Sequence, residues 1–286
     1  MSEKINKDHW DWEFGSRTTW WGWSAKELWA YRNLLGRLVR RDFLLNYQQT
    51  VLGPLWILFQ PILTLITYVM VFDKLVGIDT GSIPPVLFYL SGIVLWSFFS
   101  DSFSGTAFTF RENAEVFSKV YFPRLVVPLS VLSTHCMRFV MQFLLLLLAM
   151  LWYWVVEDTT YSFNAWILFV PLAIILIGCI GLSLGLIFSV LTAKYRDLAN
   201  LVHLGIRMMM FLTPVIYPLA IIPENVRWLV LWNPLTSLFE VFRYAMLGSG
   251  TVDLLGLAYS VVVSLVLLLV SFMIFNKQGD KLIDVV

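Results

Sequence analysis

The sequence predicts an all-α polytopic membrane protein with six transmembrane helices, an N-terminal amphipathic interfacial helix, and a re-entrant external hairpin between spans five and six. Three observations predict it. First, 59% of the 286 residues are hydrophobic and 14% are charged, against roughly 45–50% and about 25% in a soluble domain. That surplus exceeds what one buried core absorbs, so lipid must act as the outer solvent. Second, the apolar residues form runs near 51–73, 84–110, 124–156, 164–192, 201–221 and 254–275. A crossing of roughly 30 Å takes about 20 such residues. Third, lysine and arginine concentrate in alternate connections, which is how multi-pass chains record their orientation.

Residues 1–23 are expected to be a tail on the cytoplasmic side. MSEKINKDHWDWEFG has no apolar h-region and is not a secretory signal. The tryptophans of HWDW and TWWGW suit anchoring at a membrane interface, with a part in substrate recruitment as the alternative. Residues 24–50 form the second unit. Ser24 followed by Glu27 is a capping box and starts a helix. Leu28, Tyr31, Leu35, Leu38 and Val39 share one face, and Lys26, Asn33, Arg37, Arg40 and Arg41 the opposite one. Arg32 and Asp42 break the pattern. This reads as a helix in the inner headgroup layer, its basic side toward anionic lipid; packing on protein is the other reading. Gly53-Pro54 ends it and opens the first span.

Residues 51–286 form the transmembrane domain. Spans three and four exceed the bilayer and must tilt, kink or project. The piece 223–250, PENVRWLVLWNPLTSLFEVFRYAMLGSG, holds two short apolar segments split by Asn233-Pro234, which fits a re-entrant hairpin. The tail, the 2–3 connection (Arg111, Lys119, Arg124), the 4–5 connection (Lys194, Arg196, Arg207) and the C-terminus (Lys277, Lys281) carry the basic residues. Both termini are therefore expected in the cytoplasm, which requires an even number of spans.

Little points to catalysis. No G-x-x-x-x-G-K-[ST] occurs, so no nucleotide-binding loop is expected in this chain. His9, His135 and His203 are isolated, no nucleophile–base set or metal-ligand cluster is evident, and Cys136 and Cys179 read as buried free thiols. No catalytic residue and no metal are assigned. The net charge of +1 gives no reason to expect nucleic acid.

The first span poses a sharper question. Gln49, Gly53, Trp56, Gln60, Thr64 and Thr67 recur at steps of three or four, placing polar groups and one indole on one helical face. Polar groups in a span face protein or water. The face is either a helix–helix seam with amide and hydroxyl glue or one wall of a path for a sugar. Pro61 leaves one backbone carbonyl unbonded. Two connections combine charge with apolar anchors, as a docking surface or a solvated turn would: FRENAEVFSKVYFPR, with Arg111, Glu112, Glu115 and Lys119, and AKYRDLANLV, with Tyr195, Arg196 and Asp197. Asp101, Arg138, Arg207, Glu240 and Arg243 lie within apolar runs, where a charge needs a partner or water. Asp101 is one partner available to Arg138, and Glu240 is three residues from Arg243.

The order of YQQTVLGPLW-x3-QP, RENAEVFSKVYFP, AKYRDLANLV, LTPVIYP, IPENVRWLVLWNPL and FEVFRY resembles the permease subunit of ABC-2 type exporters of bacterial surface polysaccharide, the O-antigen and capsule subgroup above all. The resemblance runs from about Leu28 onward. It implies a homodimer in the bacterial inner membrane, paired with two copies of a separate ABC ATPase that binds ATP and Mg. The ATPase would dock around Arg111–Lys119 and Tyr195–Asp197. The cargo would be a polysaccharide on a polyprenyl diphosphate carrier. Spans one and five would border its path, adding Met208, Phe211 and Tyr217 to the face above. Residues 223–247, with Trp228, Trp232, Asn233, Pro234, Glu240 and Arg243, would form an external gate, and Arg37, Arg40 and Arg41 are candidates for the carrier's diphosphate. Within the family, teichoic-acid, drug or haem cargo stays open. A channel or secondary transporter would show repeats, interrupted helices at corresponding places or rows of carboxylates, and none is evident.

Overall fold

The computed structural model describes residues 25–114, 117, 122–159, 161, 164–248 and 250–282. Every regular element among them is helical. Five helical stretches are long and apolar enough to cross a membrane: Gly53–Leu75, Pro85–Ala107, Val126–Val156, Ala165–Lys194 and Leu254–Gln278. The elements are α1 (Ala25–Ala30), α2 (Arg32–Tyr47), α3 (Trp56–Tyr68), α4 (Pro85–Ala107), α5 (Thr109–Glu112), α6 (Val126–Val156), α7 (Val170–Lys194), α8 (Leu198–Leu212), α9 (Glu224–Leu231), α10 (Pro234–Leu247) and α11 (Leu254–Leu282).

The expected fifth run, 201–221, is not one helix. It stops at Leu212, before Pro214. Proline disfavours helical backbone in the residue before it, and Thr213 is extended (φ −109°, ψ 139°). Fifteen residues rise about 22 Å, short of a roughly 30 Å hydrocarbon layer.

Helix α4 is the hub. It packs against α7, α6, α3 and α8, and most of its side chains are buried. Its approach to α7 depends on glycine. A Cβ on Gly181 would meet Ser102 Cβ at 3.0 Å and Phe99 O at 3.1 Å; one on Gly185 would collide with Thr106. Small residues four apart let two backbones close without a side chain between them, the usual device where lipid removes the hydrophobic drive for helix association. Thr192 Oγ1 donates to Ala107 O at 2.6 Å across the same seam. Helix α3 is the opposite case, since most of its surface is uncovered by the rest of the chain.

One detail of the N-terminal region differs from expectation. The helix is interrupted at Tyr31, and the capping Ser24 lies outside the described residues, as do the tail and its tryptophans. The apolar face of α2 packs on protein: Leu38 is buried in a cluster with Phe110, Phe117, Phe122 and Phe275, with Leu28, Tyr31, Leu34 and Leu35 beside it. A second correction concerns the polar face. Gln49 and Gly53 do not continue the helix of Gln60. The backbone leaves helical geometry at Gln48 (ψ 141°), and Gln49 adopts φ +59°. Only after the Gly53–Leu55 turn does α3 begin.

Candidate translocation path and coupling surface

The polar residues of α3 divide into two groups. Trp56 and Thr67 are exposed. Gln60 and Thr64 line a recess of about 180 Å³, together with Pro61, Tyr68, Trp96, Ser97, Asp101, Arg138, Gln142 and Val215. The Thr64 and Thr67 hydroxyls donate to Gln60 O (3.0 Å) and Leu63 O (2.9 Å) one turn back, so neither needs a partner on another helix. The carbonyl released by Pro61 belongs to Ile57, and it accepts from Gln142 Nε2 at 3.3 Å. Asp101 and Arg138 do pair, Oδ2 to Nη1 at 3.2 Å. The Tyr47 phenol, at the end of α2, lies within electrostatic reach of both. Its pKa is raised, first by desolvation, then through the opposed influences of Arg138 (lowering) and Asp101 (raising).

The end of α8 is a broken backbone inside the protein, and most of its carbonyls have identified donors. Thr213 Oγ1 donates to Met209 O (2.8 Å), Tyr217 Oη to Phe211 O (2.6 Å) and Asn233 Nδ2 to Leu212 O (3.2 Å). Arg243 then bonds Pro214 O at 2.5 Å and Val215 O at 2.9 Å. Its guanidinium lies 3.9 Å from the Phe88 ring centroid, 3.4 Å from Ser91 Oγ and 3.8 Å from Glu240 Oε1. A cation at a helix C-terminus also meets the negative end of the helix dipole. The site has no room to spare, because a Cβ on Gly92 would come within 2.8 Å of Arg243 Nη2.

The turn between α9 and α10 is closed in the same way. Asn233 Oδ1 caps α10 by accepting from Leu235 N (3.0 Å). Tyr259 donates to Trp232 O (2.9 Å), Ser260 to Pro234 O (2.7 Å) and Thr236 to Val230 O (2.6 Å). Irregular backbone away from water persists only when its polar groups find such partners. The expected gate residues therefore separate by role. Asn233 and Pro234 form the turn, Arg243 and its neighbour Glu240 tie α10 to the end of α8, and Trp228 on α9 and Trp232 just after it stand exposed, rings 6.2 Å apart, with Trp232 73% exposed. Met208 and Phe211 are exposed on α8. Phe211 and Tyr217 also border an apolar hollow of about 430 Å³ against α9.

At the other end, Arg111 and Glu112 are exposed on α5, and Tyr195, Arg196 and Asp197 are exposed between α7 and α8. Glu115 and Lys119 lie outside the described residues. Partial desolvation raises the Glu112 pKa; Arg111 opposes that rise and Asp42 adds to it. Arg37 and Arg40 are exposed. Arg41 instead turns inward: its guanidinium holds Asp42 at 2.7 Å and Asn113 Oδ1 at 2.9 Å. Phe108, just before α5, packs its ring 5.3 Å from His203 of α8. The short segment 108–113 thus contacts both the helix that leads into α3 and the helix that carries Met208 and Phe211. Among the described residues no group of three or more His, Cys, Asp or Glu could hold a metal ion.

Residues 33–247 match the sequence profile of the ABC-2 type transporter membrane domain. This chain belongs to the ABC-2 type transporter family. Relatives extend the match to nearly the whole chain. An O-antigen export system permease protein, RfbA, of Klebsiella pneumoniae is 29% identical over 88% of this chain and 95% of its own length. Another protein of that name, from Myxococcus xanthus, is 29% identical over 90% and 96%. The polysialic acid transport protein KpsM of Escherichia coli is 21% identical over 86% and 93%. The profile of this ABC-2 family takes in α2 through α10 and excludes α11.

Several residues of this ABC-2 chain were not singled out by sequence reasoning. Gln142 was hidden in a leucine-rich run; the signal available was that Pro61 frees a carbonyl, which calls for a donor on a neighbouring helix. Asn113 sat inside a charged stretch whose charges drew the attention.

Proposed function

We propose that this chain is the transmembrane subunit of an ATP-driven exporter that moves lipid-linked polysaccharide of the O-antigen type across the bacterial inner membrane. The observation that carries the reading is the end-to-end likeness to permeases named for O-antigen export, on top of family membership. The chain works as a homodimer with two copies of a separate ABC ATPase, which binds the ATP and Mg. Both termini lie in the cytoplasm, α2 rests at the inner headgroup layer, α8 with its broken end serves as the sixth crossing, and α9–α10 form the external re-entrant hairpin. The bonded carbonyls of Phe211, Leu212, Pro214, Val215, Val230, Trp232 and Pro234 support that last point, because irregular backbone at membrane depth must be buried and bonded.

The coupling geometry supports a direct transmission. The ATPase docks on Arg111 and Glu112, continuing through Glu115 and Lys119, and on Tyr195, Arg196 and Asp197. ATP binding draws these surfaces together. The Arg41–Asn113 bond passes the movement to α2 and so to α3, and the Phe108–His203 contact passes it to α8. Both walls of the path, Gln60, Thr64 and Thr67 on one side and Met208 and Phe211 on the other, then shift together. ATP drives this only to the extent that it binds one arrangement better than the other. Arg37 and Arg40 are exposed and suited to the carrier's diphosphate; Arg41, already paired with Asp42, is the weaker candidate. The likeness to KpsM and to the capsule export protein CtrC of Neisseria meningitidis makes capsular polysaccharide the second reading of the cargo.

The test is deletion with analysis of surface glycan. Export predicts loss of polymer outside and accumulation of lipid-linked polymer inside. Unchanged surface glycan, or a purified permease that carries no ATPase with it, would overturn the proposal.

A further inference from the structure

The recess beside α3 is more than a gap between helices. Its Asp101 and Arg138 side chains are 31% and 22% exposed, so the ion pair faces the opening instead of being sealed in the bundle. Arg138 meets Asp101 through Nη1, and its buried Nε has no hydrogen-bond partner among the described residues. Gln60 and Ser97 contribute an amide and a hydroxyl at the rim, and Trp96 and Tyr68 contribute ring faces. Ionisable groups at membrane depth are costly unless they face water or a ligand.

We propose that this recess is a saccharide subsite within each protomer, taking one sugar ring of the glycan as it passes. The inference rests on the polysaccharide reading above and gives that path a specific contact. The Asp101 carboxylate accepts two neighbouring hydroxyls, Arg138 donates to ring or hydroxyl oxygen, Gln60 does either, and the aromatic faces meet C–H groups. A recess of about 180 Å³ with this mixed polar and aromatic lining has room for a small polar group such as one sugar ring. The charge balance argues against a phosphate, because Asp101 would repel the anion that Arg138 attracts. The polar lining argues against a lipid tail. A small, weak site of this kind holds a chain without trapping it, which conduction through any pore requires.

The experiment places a photoreactive p-benzoylphenylalanine at Gln60, on the rim, or at Phe211, on the exposed face of α8, in the full permease–ATPase complex in cells. Adducts are probed for glycan by periodate staining and for phospholipid by radiolabelled palmitate, which enters acyl chains and not the diphosphate carrier. A glycan adduct at Gln60 is expected, falling about tenfold in Arg138→Gln or Asp101→Asn, the effect of one lost charge-assisted hydrogen bond. A phospholipid adduct at Gln60, or glycan at Phe211 with none at Gln60, overturns the subsite and leaves export standing. Glycan at neither position, with surface glycan unchanged on deletion, overturns export as well. Should the charge variants fail to assemble, the Gln60 adduct in the otherwise unaltered chain still decides.

Discussion

The backbone leaves helical geometry in two places that resemble each other in sequence and differ in structure. At 48–52, before α3, few tertiary bonds hold the chain. Thr50 Oγ1 donates to Tyr47 O nearby, Gln49 sits at φ +59°, and Val51 is 100% exposed. At 213–218, after α8, Thr213–Ile216 are buried; Arg243 reaches in to Pro214 O and Val215 O and Asn233 to Leu212 O, while Tyr217 folds back onto Phe211 O. Both breaks adjoin proline. The difference teaches that proline marks where a helix can end, while the density of tertiary donors decides whether the end is a hinge or a pivot. The first break is built to bend between α2 and α3. The second fixes α8 to α4 and α10.

Four tests break or sharpen that contrast. The largest effect is expected at the pivot. Arg243→Ala removes a cation that bonds two buried carbonyls, at a cost of about 3–5 kcal/mol. It should abolish recovery of folded complex from detergent, and Arg243→Lys should recover only part of it, since a point charge cannot bridge both carbonyls. Near-normal yield and melting temperature of Arg243→Ala would remove the pivot from the account. Next is Gln142→Leu, which strips the donor from the Ile57 carbonyl and should destabilise by about 1–3 kcal/mol. Pro61→Ala restores a backbone N–H to that carbonyl, so in the double variant the cost of Gln142→Leu should shrink; strict additivity would contradict the assignment.

The third test probes transmission. Arg41→Ala and Asn113→Ala should each lower stability by about 0.5–1.5 kcal/mol, with a non-additive double variant. Their clearer signature is ATP hydrolysis that persists while glycan export falls, and a proportional fall in both activities would argue against a link between α5 and α2. The smallest effect is expected at the hinge. Gln49→Gly relieves a left-handed backbone and should raise stability by about 1 kcal/mol or less, read as a slightly higher melting temperature. A marked loss there would mean the first break is as locked as the second.

Much of this was legible in the residues. Pro61 announced a free carbonyl, Asp101 and Arg138 announced a partner for each other, and Asn233-Pro234 announced a split between two short segments. The face of Gln49, Gly53, Trp56 and Gln60 was over-read, because a helical projection assumes an unbroken helix and Gly53-Pro54 interrupts it. Arg41 was counted with the outward basic residues; the periodicity that grouped it could not show Asn113 waiting 72 positions away.

Composition and run length by themselves determined that this chain is helical and membrane-embedded, because hydrocarbon tolerates no unbonded backbone and helices satisfy it locally. Pairing between distant residues decided the rest: that α8 stops short and is capped from α10, that Arg243 is a fastener, and that Gln60, Asp101 and Arg138 share one recess. Such contacts depend on which helix faces meet. That is set by close approaches such as those at Gly181 and Gly185, and not by any local preference along the chain.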